Sequence, residues 1–205
     1  MGSFCSSTSS VSSNVELCVA KEKAPSKSEL KKDAEELKRL LLTCDGGAKI
    51  YAAAQVANGG KDPDIELGTP HSGFGGLYWP AEGKIVILKT QNKWKQMETL
   101  VFELANLSQK KEFDKITESA EDGNLSKDNY TRWMERTEVN SIKMTLKVLC
   151  GCKETWGCKE HKFDFEVNPD MTDFEKVYRE LIPDEHKNHH RNFWVLNYKR
   201  AFETT

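Results

Sequence analysis

The sequence predicts an α+β fold, rich in helix, with a small sheet or hairpin ahead of a central helix. Three observations predict it. Apolar residues recur at helical spacing over several segments, the β-branched run Ile85-Val86-Ile87 follows a Pro/Gly turn, and that run leads directly into another amphipathic stretch. The order is helix, short strands, then several helices, which suits helices packed on one side of a small sheet. A chain of 205 residues can form one sizeable domain. The boundaries read as a Ser-rich leader over 1–25 and a single α+β domain over 26–205, with a Cys/His-rich loop at 150–161.

The elements follow in order. Residues 1–13, "MGSFCSSTSSVSS", hold almost no core-forming material and read as disordered, continuing as a polar linker to about 25. Ser26 with Glu29 three positions later is a capping-box pattern. Leu30, Ala34, Leu37, Leu40 and Leu41 then trace one face of a helix, and "CDGG" supplies a glycine stop. "KIYAAAQVANGG" reads as a short helix and "DIELG" as a short strand. "GGLYWPAEGKIVIL" reads as two extended stretches about a turn. Asn92 is an N-cap candidate for a helix over about 93–110, striped by Met97, Leu100, Val101, Leu104 and Leu107. "SAEDGNLS" is a loop, and a long helix spans about 127–149. "HKFDFEV" is a candidate strand and "MTDFEKVYRELIP" a helix stopped by Pro183. "NFWVLNYKRAF" packs back on the body as helix or strand.

Charge and hydropathy narrow the function. A formal net charge of -2 gives no field to attract nucleic acid, so none is expected as a partner. No apolar run approaches the ~20 residues that span a bilayer. The N-terminus lacks the basic start and apolar core of a classical secretory signal. The uneven spacing of the cysteines does not suit a disulfide-framed secreted module, and a reducing compartment is expected. Met1-Gly2-Ser3-Phe4-Cys5-Ser6 fits the N-myristoylation pattern at Gly2, with Cys5 placed for a second acyl chain. One myristoyl chain binds a membrane only marginally, so the neighbouring Cys5 matters to any association with membranes.

The central helix carries the chemistry. Residues 102–106, Phe-Glu-Leu-Ala-Asn, occupy the frame of the zinc-protease motif His-Glu-x-x-His. In that motif two histidines one turn apart hold the metal, and the glutamate between them activates water. Phe102 cannot ligate a metal and a neutral Asn106 amide ligates zinc poorly, so the ordinary zinc mechanism is absent from this helix. Glu103 has two readings. With Asn106 and Lys110 it forms a solvated polar edge; alternatively it is a retained acid–base residue.

The stretch "TLVFELANL" resembles the signature helix of a group of bacterial effector and polymorphic-toxin domains, zincin-like in element order but with altered ligands. "YTRWMERTEVNSI" resembles a later glutamate-bearing helix of those domains through Glu135 and Glu138. The resemblance spans roughly 75–150. It implies a zincin-like scaffold more than an activity: a virulence effector or toxin, cytoplasmic or secreted into a host cell, with a host protein or peptide as substrate. In a surviving site Glu103 would be the base or a polar anchor, Asn106 would orient substrate, and Glu135 or Glu138 would be the partner carboxylate. Two carboxylates in a semi-apolar pocket push one pKa upward, as acid–base chemistry needs. Otherwise Glu135 and Glu138 pair with Arg132, Arg136 or Lys143 on a wet face. The other function class is a non-enzymatic, membrane-tethered interaction protein.

Two further constellations stand out. "CGCKETWGCKEH" places Cys150, Cys152, Cys158 and His161 within twelve residues, a sufficient set for a tetrahedral structural zinc. A disulfide between two of these cysteines, or three unlinked thiols, are the alternatives. His186 and His190 in "DEHKNHHRNFW" are spaced i, i+4, but the polar segment reads foremost as a solvated connection. His71, in the Gly-rich "TPHSGFGG", reads as part of a loop turn.

Overall fold

The computed structural model describes residues 26–70, 75–79, 82–159, 162, 173–180, 182 and 184–204. The fold is α+β and rich in helix: among the described residues, eight helices accompany a three-stranded sheet. Helix α1, Lys27–Leu41, opens on the capping box expected of Ser26 and Glu29, with the Ser26 N–H donating to the Glu29 carboxylate over 2.7 Å. The chain turns at Leu42–Cys44, and Asp45 lies in the first turn of α2, Asp45–Ala57. "CDGG" therefore begins a helix as much as it ends one.

Strands β1 (Asp64–Gly68), β2 (Gly76–Trp79) and β3 (Lys84–Leu88) follow. The hairpin pairs β2 antiparallel to β3, Leu77 opposite Val86, and β1 pairs parallel to β3, Ile65 opposite Ile85. The order β1-β3-β2 leaves β2 at an edge. Ile85 and Ile87 point into the core, as their alternation requires.

Helix α3, Lys93–Ser108, is capped by Asn92, whose side chain accepts from the N–H groups of Trp94 and Lys95. Gln109 separates it from α4, Lys110–Glu121, which takes up residues that the sequence left between helix and loop. Helix α5, Lys127–Trp156, runs 30 residues, past the expected end at 149 and through the cysteine run. It stops at Gly157, which adopts φ 73°, while the Cys158 N–H returns to the Lys153 carbonyl. The buried face of α5 bears Thr131, Thr137, Ser141 and Thr145, each hydroxyl donating to the carbonyl four residues back. Those bonds let a polar stripe sit inside. Helices α6 (Phe174–Glu180), α7 (Asp184–Asn197) and α8 (Lys199–Thr204) complete the described chain. None of the described helices is long and apolar enough to cross a membrane.

One core joins α1, α2, the sheet, α3 and the C-terminal part of α5, around Leu41, Ile85, Leu100, Leu104 and Leu149. A second, around Tyr130, Trp194 and Tyr198, joins α4, α5 and α7. Burial of such side chains supplies the main stabilisation, about 1.5–3 kcal/mol for each large one. Helix α5 packs against both α3 and α7.

Candidate active site

Glu103 is 6% exposed. The polar edge that it forms with Asn106 on the helical wheel does not face water, because β2 covers it. Gly76 makes the approach close enough: a Cβ there would collide with Thr99 and press on the Glu103 carboxyl. The Leu88 N–H donates to the Gly75 carbonyl, and the antiparallel alternation then turns the Tyr78 N–H away from β3. It meets the Glu103 carboxylate as a hydrogen-bond donor. Asn106 Nδ2 donates to Glu103 Oε2 over 3.4 Å, while the buried Asn106 Oδ1 has no hydrogen-bond partner. Lys110 turns outward and pairs with Asp114.

Burial pushes the Glu103 carboxyl up to about 7, and the negative charge of Glu138 adds to the rise. The hydrogen bonds from Asn106 and Tyr78 oppose it but do not prevail. The carboxyl therefore exchanges its proton near neutrality, the property required of an acid–base group.

Glu135 and Glu138, three residues apart on α5, meet His186 and His190, four apart on α7. Both spacings align side chains on one helical face. His186 Nδ1 lies 2.9 Å from Glu135 Oε1, and its Nε2 lies 3.2 Å from Glu138 Oε2. His190 Nε2 lies 3.3 Å from Glu138 Oε1, but off the direction of a hydrogen bond. One ligand atom from each of the four residues lies within 4.8 Å of all the others, so the cluster could hold a metal ion. Glu135 holds the His186 imidazolium, raising its pKa to about 9 with help from the Glu138 charge, although burial works against it. Burial alone would raise Glu138, but contact with His190 and the nearby histidine charges leaves it below its ordinary value.

These positions correct two expectations. The "DEHKNHH" segment is helix α7 and not a solvated connection: His190 is 6% exposed and is held against α5. Glu135, 1% exposed, sits on no wet face, and Arg132 pairs instead with Glu175 of α6. The spacings of both pairs were visible in the sequence. That they share one site needed the packing of α7 on α5, which no local pattern encodes.

The zinc set at Cys150, Cys152, Cys158 and His161 is not assembled. Cys152 is bonded to Cys44 across a Cα–Cα distance of 5.7 Å, which removes it as a thiolate ligand. Cys150 and Cys152 lie two apart on the helix, so they point to different sides, one exposed and one buried. Cys158 is buried as a free thiol, with its pKa raised by burial. The bond also departs from the expectation of wholly reduced cysteines. His161, His71, Gly2, Cys5 and most of "HKFDFEV" lie outside the described residues.

Comparison with known protein families, characterised proteins and solved structures gives no match.

Proposed function

We propose that this domain is a hydrolase-type enzyme, a delivered bacterial effector or toxin acting on a host protein or peptide, with Glu103 as its acid–base residue. The observation that carries the reading is Glu103 itself, a buried carboxyl that exchanges its proton at about 7 and feels the charge of Glu138 in the histidine–glutamate cluster. Ionised Glu103 would take a proton from an attacking water and return it to the leaving group. Asn106 holds one side of Glu103, and its partnerless Oδ1 is an acceptor for a substrate N–H. The host setting rests on the resemblance of "TLVFELANL" and "YTRWMERTEVNSI" to effector and toxin helices.

The test is cleavage of a peptide library prepared from eukaryotic cell lysate, with new termini read by mass spectrometry. The wild-type chain should generate them. Glu103→Gln, near-isosteric and incapable of taking the proton, should lower the rate by about 10²-fold or more. An inert wild-type chain or a fully active variant would remove the reading.

A second reading, a membrane-tethered interaction protein, is favoured by the apolar surface of α7 and α8. Phe193, Val195, Leu196 and Phe202 are exposed there, Leu196 at 82%. It requires acylation at Gly2. Unchanged membrane fractionation of Gly2→Ala would contradict it.

A further inference from the structure

We infer that the α5–α7 cluster binds one divalent transition-metal ion through Glu138, His186 and His190, with Glu135 orienting His186 from outside. This rests on the reading of the site as hydrolytic and supplies its cofactor, with ligands drawn from α5 and α7 and not from the Phe102 and Asn106 positions. The roles follow from the contacts. The contact between His186 Nδ1 and Glu135 has hydrogen-bond geometry at 2.9 Å, whereas the buried His190 Nε2 has no hydrogen-bond partner. A ligating histidine characteristically gives its other ring N–H to a carboxylate, which fixes the ring and raises its basicity. His186 is held in that manner.

The Glu138 carboxylate lies between the imidazoles, one oxygen 3.2 Å from His186 Nε2 and the other 3.3 Å from His190 Nε2. Ligands about 2.1 Å from a tetrahedral ion are separated by about 3.4 Å. Each imidazole nitrogen therefore already stands near that spacing from a Glu138 oxygen, and one ligand atom from every member of the cluster lies within 4.8 Å of the others. His190 gives an independent sign: its ring is 6% exposed, and its Nε2 is buried against Glu138 without a hydrogen-bond partner. A buried polar nitrogen left unsatisfied is destabilising, and an ion bound there would satisfy it.

Two imidazoles and a carboxylate suit zinc or another first-row divalent ion better than calcium or magnesium, which favour all-oxygen sites. Three protein ligands leave the fourth tetrahedral position to solvent, the arrangement of catalytic rather than structural sites.

The full-length chain, stripped with chelator and titrated with Zn2+, should take up one ion. With Co2+ it should develop the visible absorption of a low-symmetry nitrogen/oxygen site. His190→Ala and the more exposed His186→Ala should each weaken Zn2+ binding by well over tenfold. Glu135→Gln should weaken it by about 10–100-fold while the chain still binds Co2+. Cys150→Ser with Cys158→Ser should change nothing. No uptake by the folded wild-type chain, or unaltered affinity in folded His186→Ala, would overturn the proposal. Glu103→Gln should bind the ion as the wild type does, so retained binding with retained activity defeats only the hydrolase reading. Lost activity in Glu103→Gln from a wild-type chain that binds no ion defeats only the metal.

Discussion

Glu103 and His186 both carry protons that the unfolded chain would release at lower pH. The folded protein holds the Glu103 proton to about 7 against an ordinary 4.5, so between those values the folded state binds more protons. Its stability therefore falls as pH rises through that window, by roughly 3 kcal/mol at most. Urea denaturation of chelator-treated protein at several pH values should show this decline, and Glu103→Gln should flatten it. His186, raised to about 9, contributes stability below its ordinary 6.5 that is lost as pH rises through 9. His186→Ala should remove the alkaline part of the slope and leave the acidic part. A slope unchanged in both variants would place its origin elsewhere.

Helix α5 is the element that makes the site possible, and the Cys44–Cys152 bond ties its far end to the start of α2 across 108 residues of chain. Closing so long a loop in the unfolded state is worth about 5 kcal/mol by chain entropy. Reduction, or Cys152→Ser, should lower the urea midpoint accordingly; an unaltered midpoint would contradict a stabilising role. The elements with a plain amphipathic period were legible in the sequence. The capping box of α1, the β2–β3 hairpin and the Asn92 cap of α3 stand where local chemistry puts them. Helix α7 was not legible, because "DEHKNHH" has no apolar stripe; its inward face consists of His186, Lys187 and His190. The end of α5 was obscured by Cys150-Gly-Cys152, which resembled a ligand turn and is continuous helix. Glu103 stood out in the sequence by its place in the Phe102–Asn106 frame, but its burial depends on β2, whose close approach needs Gly76.

Across the whole molecule, the site draws on helices whose apolar residues belong to different clusters. The first core holds α3 and Glu103, and α7 brings its histidines from beside the second. Neither core carries the complete set, so the chemistry depends on how α3, α5 and α7 pack together. The account's central claim is that Glu103 and the histidine–glutamate cluster form one catalytic unit. The most direct measurement is the peptide-cleavage rate of Glu103→Gln, His190→Ala and the double variant, each confirmed as folded by circular dichroism. Groups that act as a unit are strongly non-additive. The account predicts that either substitution alone removes nearly all activity, with the double variant scarcely slower than the slower single one. Single losses that multiply in the double variant, or a His190→Ala chain as active as the wild type, would contradict it.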